Sequence, residues 1–309
     1  MTAKVVAPRV APRVRTPTGF WRKYGVGYLF VIPTLVLYVV FVFYPLVASL
    51  YLSLTDWNGA DPVLSFVGFS NYVKLVQDDL LWVSLGHNIF WMVFGSIGAI
   101  GLGLVLAVVL WSTRPRGFTV FRTVYFMPQV LGAAVVGIIW RMIYAPRRGL
   151  LYKLGDALDI DFLKHGFLGD HNTALSAVLL ASVWSAIGFF FVIFLAGLQN
   201  VDQDLIDAAK VDGANARQRF RHVVVPQLSP VITMVIVLGM INSLNIFDII
   251  WAMTGGGPAN STEVIGTYAY TKAFLESQFG YSAALITVSS GLALVMSTAF
   301  IRLRERGEG

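Results

Sequence analysis

The sequence predicts an all-α protein that crosses a membrane with six transmembrane helices. Three observations lead there. Of its 309 residues, 56% are hydrophobic and only 13% are charged, whereas about a quarter of a soluble domain is charged. The apolar residues gather into six stretches, 28–54, 89–111, 124–144, 174–198, 228–253 and 281–301, each close to the roughly 20 residues that carry a helix across the hydrocarbon core. None shows the short period-two alternation of an outer-membrane barrel, and inside lipid only a helix satisfies its own backbone hydrogen bonds.

Residues 1–27 form a basic tail with Lys4, Arg9, Arg13, Arg15, Arg22 and Lys23, punctuated by Pro8, Pro12 and Pro17. Such composition predicts disorder. The apolar run behind it exceeds the core of a cleavable signal, so none is assigned. After the first span, residues 71–85 mix apolar and polar residues at helical spacing, and Trp82 suits an interfacial anchor. The second span carries Gly95, Gly98, Gly101 and Gly103, which permit close helix packing. The third ends on Trp140 and Arg141, where an arginine can reach toward water.

Lys and Arg set the orientation. The tail, the loop near 112–123 with Arg114, Arg116 and Arg122, the loop 199–227 and the C-terminal tail 302–309 together hold sixteen, against six on the other side. Both termini are therefore expected in the cytoplasm, with loop 199–227 beside them.

That loop contains DAAKVDGANARQRFRHVVVP, residues 207–226. Asp202, Asp204 and Asp207 suit a helix N-terminus. Asp207, Ala208, Val211 and Asp212 share a surface by their spacing. Ala208 and Ala209 are small enough for another backbone to come close. Gly213 can take positive φ and stop the first helix. Residues 214–220 can form a second short helix with Phe220 as an apolar plug, and Pro226 opens the fifth span. On pattern alone this is either a docking bracket or a solvated loop whose arginines obey the topology rule.

Polar groups inside a span are expensive and default to function. The fifth span holds Asn242, Ser243, Asn245 and Asp248, of which Asn245 and Asp248 are helical neighbours. Hydrogen bonding between helices is the alternative for Ser and Asn. For Asp248 the alternatives are an ion pair with Arg141 or a place near the interface. Thr254–Gly255–Gly256–Gly257–Pro258 comes after it, either as an outer-loop element or as a tight helix exit. There is no cysteine, and the four histidines are scattered, so thiol chemistry is excluded and no metal site is expected. No face alternates basic and aromatic residues as a nucleic-acid binder would. The phosphate-cradling pattern G-x-x-x-x-G-K-[ST] is missing.

Several ordered blocks resemble one family. DAAKVDGA with the later Phe220 and Pro226 is similar to the cytoplasmic coupling motif (the EAA motif) of ABC importer permeases; Asp207, Ala208, Ala209, Asp212, Gly213 and Ala214 fall on it, with Asp in place of the usual Glu. FYPLVASLYLSLTDW, VGFSNYVKL, FRTVYFMPQVL, FLAGLQNV and TGGGPANSTEVIGTYAYTKAF with GYSAA behind it look like the carbohydrate-importer branch. The resemblance is to the maltose- and glycerol-3-phosphate-type first permease subunit, and covers nearly the whole chain.

The resemblance implies a type I ABC importer permease fold in a bacterial or archaeal cytoplasmic membrane. It implies one half of a solute pathway, with a second permease subunit, two ATP-binding subunits that hold ATP and Mg, and an external sugar-binding protein as partners. This chain itself would bind no cofactor, catalyse nothing and touch lipid but no nucleic acid. It also points to Ser243 and, on the fourth span, to Ser182, Ser185, Ala186 and Phe189, with Trp184 beside them, as the sugar-facing surface. Phe190 stands where many members carry Asn. A stand-alone secondary transporter or channel is the rival; it would need a repeat or several midplane acids, and Asp248 is the one acid assigned to a span.

Overall fold

The computed structural model describes residues 20–113 and 115–308, with side chains for 27–113 and 115–306. Tail residues 1–19 and Arg114 lie outside the described residues. Apart from a single bridge between Thr55 and Phe66, the described residues form helices, turns and loops.

The first span runs as α1 (Phe20–Tyr38), a π-turn over Val39–Phe43 and α2 (Tyr44–Leu52). Helix therefore starts inside the stretch expected to be a disordered tail, just past Pro17, where proline punctuation ends. Its apolar window buries no residue at all. The chain divides into two units, one ending at Ser49 and the other beginning at Leu50; every element from α3 onward belongs to the second.

Short α3 (Ser70–Val76) precedes α4 (Asp79–Phe90), a π-turn and α5 (Ile97–Thr113). The last three make one continuous 35-residue helix, Asp79–Thr113. The expected surface helix over 71–85 is thus cut at Asp78, whose side chain accepts from Leu80 N at 3.0 Å and caps the long helix. Only its first half stays separate.

The third span is not one rod. α6 (Phe118–Val130) and α7 (Ala133–Ile143) meet at 93°. Pro128 sits in the last turn of α6, and Leu131 and Gly132 are extended, so the hydrogen-bond ladder cannot continue across them. α8 (Leu150–Leu158) leads on to α9 (Ala174–Gln199), the unbroken fourth span.

α10 (Gln203–Val211), α11 (Ala216–Arg219), a π-turn and α12 (Val225–Gln227) make the loop before α13 (Ser229–Leu244). The helix Ala216–Gln227 meets α13 at 69°. Pro226 therefore does not begin the fifth span. It rides in the helix before the bend, after a π-turn over Phe220–Val224, and Pro230 holds the early position in α13 instead. α13 stops at Leu244; three non-helical residues precede α14 (Asp248–Met253), so the expected continuous span over 228–253 is interrupted. α15 (Ile265–Tyr270) and α16 (Phe279–Glu308) complete the chain. α16 absorbs the C-terminal tail expected from residue 302.

Among the described residues, four helices are long and apolar enough to cross a membrane, and up to six if each bent pair is one span. One buried cluster lies between α5, α6 and α9, around Phe191, Phe194 and Leu198; a second gathers Val136, Val178 and Ile250, and a third Leu75, Ile265 and Leu285. Gly103 is needed in the first: a Cβ on it would stand 2.9 Å from Phe191 N. Gly101 faces open space, so the glycine run of α5 is a contact face only in part.

Candidate functional site

The loop 202–228 is a braced bracket. Asp202 caps α10 by accepting from Asp204 N at 2.9 Å, and its own N–H donates to Gln227 Oε1 at 2.8 Å, tying the start of the bracket to its end. Gly213 has φ +80°, and the Ala214 N–H donates to the Ala209 carbonyl at 2.9 Å, closing α10 as a positive-φ residue allows. Asn215 and Gln218 then form a reciprocal cap, 3.0 and 2.8 Å, at the start of α11. The second helix thus begins two residues later than expected, because Asn215 is the better cap.

Two faces result. Ile206 and Val224 are buried, and Phe220 packs on the core beside them. Asp207, Ala208, Asp212 and Gly213 are exposed, Ala209 and Ala214 are half-buried, and Val211 is 88% exposed. Val211 therefore stands on the outward face among small and acidic residues. Asp207 accepts from Lys210 Nζ at 2.7 Å, and that bond holds its carboxyl below the usual range.

The fifth span gives a second site. Asn242, Asn245 and Asp248 are all exposed. Among the described residues the Asn242 amide and the Asp248 carboxylate have no partner, while Asn245 Nδ2 donates to the Ile241 carbonyl at 3.0 Å. Asp248 does not pair with Arg141, which donates to the Ala252 carbonyl at 3.3 Å instead. Ser243 turns inward. Only 2% exposed, it bonds Gly239 O at 2.8 Å and meets the Ser96 hydroxyl at 2.9 Å. Ser96, Ser182, Asn242 and Ser243 line an 80 Å³ cavity with Trp91 and Phe190. Ser185 donates to Ser182 O at 3.0 Å. Trp184 stands edge-on to Trp140 at 5.8 Å, and Phe189 edge-on to Phe190 at 5.3 Å.

At the other end of the molecule, Gly255 and Gly256 have φ +60° and +92°. The loop is knotted by Thr254 and Thr262, whose hydroxyls meet at 2.7 Å, and by Thr262 donating to Gly257 O at 2.8 Å; Pro258 is joined to Gly257 through a cis bond. The Glu263 side chain lies on Gly256, where a Cβ would stand 2.1 Å from Oε2. Glu263 is buried, and burial raises its carboxyl pKa. Its Oε1 has no partner among the described residues.

Sequence reasoning missed three residues there: Glu263, Asn88 and Asp78. Asn88, fully buried, donates to Ser243 O at 2.7 Å and accepts from Ile265 N at 3.0 Å, bridging three helices. Asp78 accepts from the hydroxyls of Tyr268 and Tyr281. Asn88 was findable as an amide one residue outside an apolar run, and Asp78 as a helix cap; nothing local marks Glu263 or the tyrosine partners of Asp78.

The profile described as binding-protein-dependent transport system inner membrane component matches residues 99–306. A probable ABC transporter permease protein of Pyrococcus horikoshii is 36% identical over 91% of this chain and 96% of its own length. A multiple sugar-binding transport system permease protein of Streptococcus mutans is 34% identical over 91% and 96%. Among solved structures, a chain of a bacterial ABC transporter that imports the acidic polysaccharide alginate matches with TM-score 0.78 and 19% identity, covering 93% of this chain and 97% of that one.

Proposed function

Because the chain belongs to the family of binding-protein-dependent transport system inner membrane components, we propose that it is the membrane-spanning subunit of an ATP-driven sugar importer. It forms one half of the pathway, and a second permease subunit forms the other. An external binding protein delivers the sugar, and two separate ATP-binding subunits hold ATP and Mg and hydrolyse it. Both termini and the 202–228 bracket face the cytoplasm.

One observation carries this reading: Asn242, Asn245 and Asp248 stand exposed, two of them unpartnered among the described residues, on a span interrupted between α13 and α14. A charged side chain facing hydrocarbon costs about 3 kcal/mol even on the mildest scale. Irregular backbone at that depth survives only inside protein or beside water. These polar groups therefore border a wet pathway completed by another subunit. Asn242, Asn245 and Asp248 offer hydrogen bonds to sugar hydroxyls; Trp184 and Phe189 offer apolar surface to ring C–H groups. Ser182, Ser185 and Ser243 support that surface from behind. The loop Gly255–Pro258 meets the binding protein. The kinship with a multiple sugar-binding permease favours a sugar, a di- or oligosaccharide in our reading, with a glycerol-phosphate-type solute as the alternative.

The bracket receives the work of ATP. Asp207, Ala208, Ala209, Val211 and Asp212 seat in a groove of one ATP-binding subunit, and Phe220 transmits its movement to the bundle. Binding energy in one chain then shifts a two-state equilibrium in another. Gly213→Pro tests it, since proline cannot take the observed φ of +80°. Uptake should vanish while the chain stays in the membrane; normal uptake and normal ATPase association would refute the reading. Because the chain has no cysteine, a single cysteine at Arg217 reports the side by its reactivity toward an impermeant reagent.

A further inference from the structure

A large cavity lies between the bracket and the end of α5, and the family kinship does not account for it. It has a volume of 560 Å³. Lys210, Arg219, Phe220 and Val224 line it from the bracket, Trp111 and Ser112 from α5. A second cavity of 470 Å³ shares Trp111 and Gln203 with the first and runs on past Phe118, Leu195 and Leu198. α5 ends at Thr113, α6 begins at Phe118 and α9 ends at Gln199, so the pair of cavities sits at one membrane–water boundary.

The pair is amphipathic: Lys210 and Arg219 line the first cavity, and Phe118, Leu195, Leu198 and Val201 line the second beside Gln199 and Gln203. Lys210 uses one bond on Asp207, and Arg219 one on the Ala214 carbonyl. An ammonium has three N–H donors and a guanidinium five, so both keep donors for a ligand. The chain's own tail is a poor occupant. Lys4, Arg9, Arg13 and Arg15 carry the same sign as the pocket. An occupant with an anionic head and an apolar tail fits both halves.

We propose that this is a binding site for one anionic phospholipid, its headgroup on Lys210 and Arg219 and an acyl chain along Trp111, Phe118, Leu195 and Leu198. The inference rests on the cytoplasmic placement of the bracket, because anionic lipid is enriched on that leaflet. The lipid wedges the bracket against α5, so bracket movement becomes sensitive to membrane composition.

The test is native mass spectrometry of the full chain, purified with its co-purifying subunits from membranes supplied with phosphatidylglycerol and phosphatidylcholine. One phosphatidylglycerol should be retained in preference to phosphatidylcholine. Retention should fall about fivefold for each cation removed in Lys210→Gln and Arg219→Gln. Ser112→Glu leaves the bracket untouched, and should lower retention in the same direction by placing an anion beside the headgroup. Equal retention by all variants, or no preference between the two lipids, overturns the proposal. So does a photo-crosslinker at Ser112 that captures a polypeptide instead of a diazirine phosphatidylglycerol, since the cavity is then a protein interface. The cysteine at Arg217 separates the cases: external labelling refutes the assigned side, whereas cytoplasmic placement without lipid refutes this proposal alone.

Discussion

The two ends of the bundle are built on opposite principles. The bracket end is shaped by local caps, closed by Asp202 N–H donating to Gln227, and seated on the core by Ile206 and Val224. Its bonds run from Asp202 to Asp204, from Asn215 to Gln218 and from Asp207 to Lys210, and its outward face is bare. The opposite end is held by bonds between residues far apart in the chain. Asn88 reaches Ser243 and Ile265, Asp78 reaches Tyr268 and Tyr281, His87 meets the Glu263 carbonyl at 2.7 Å, and Ser282 donates to Ala269 O at 2.7 Å. Local caps let a piece move as a body. Long-range buried bonds lock elements together. The bracket joins the bundle mainly through apolar contacts of Ile206, Phe220 and Val224; where α4, α13, α15 and α16 converge, buried hydrogen bonds pin the fold.

The largest effect should come from Asn88→Ala. It orphans the Ile265 N–H and the Ser243 carbonyl in a buried setting. Each unsatisfied buried group costs about 1–3 kcal/mol, so about 3 kcal/mol or more should be lost. The thermal midpoint of the detergent-purified chain should drop accordingly; an unchanged midpoint would erase the distinction between the ends.

The Asp78 cluster comes next. Burial pushes its carboxyl up, but the Tyr268 and Tyr281 hydroxyls, the Leu80 N–H and the Lys272 charge outweigh burial and hold it below 3.8. Lys272 Nζ lies 5.4 Å from the Tyr268 ring centre and 2.6 Å from Glu276. A depressed carboxylate adds stability above its unfolded pKa, and loses it as pH falls through the folded value. Tyr268→Phe should cost about 1.5–3 kcal/mol at neutral pH, as for a hydrogen bond to a charge. Acidification should shrink the difference from wild type, and a pH-independent difference would mean that Asp78 is not the acceptor.

Glu263 should respond with the opposite sign. Its carboxyl is raised by burial, with a partial offset from Thr267. Below its unfolded value both states are protonated and nothing is lost. As pH rises past that value the folded state must hold a proton or bury a charge, so stability falls toward the folded pKa. Glu263→Gln removes the penalty. Its thermal midpoint should exceed wild type at neutral pH and converge with it in acid. A variant less stable at neutral pH would mean that the carboxylate has an ionic partner.

Much of this was legible in the chain itself. The six apolar stretches, the acids opening α10 and the turn at Gly213 are local signals; α9 matches its stretch within a residue, whereas the first, second and sixth helices overrun theirs by seven to ten residues. The breaks were harder. Pro128 and Gly132 are visible in the sequence, yet the apolar run continues through them, and hydropathy does not register a 93° bend. The interruption after Leu244 leaves still less trace, because its three residues are Asn, Ile and Phe. The sidedness of Ser243 depends on the rotation of α13 against α4, and the role of Asp78 on partners 190 and 203 residues away. Pairings of that span have no signature in one sequence.

The smallest effect belongs to the bracket, and it is the sharpest probe of the comparison. Asp207 and Lys210 are three apart on α10, 2.7 Å between charged atoms, with both side chains about half exposed. An exposed pair of this spacing adds little stability, since water screens it and holding two flexible side chains still opposes it. Lys210→Ala should therefore leave the thermal midpoint within error. The carboxylate of Asp207 is freed by the same change, so any partner that reads it meets a more mobile anion. ATP-coupled uptake should then fall several-fold with no change in stability, the inverse of Asn88→Ala. Should Lys210→Ala unfold the chain as readily as the Asn88 variant, the bracket would be as firmly pinned as the far end, and the contrast between the two ends would be gone.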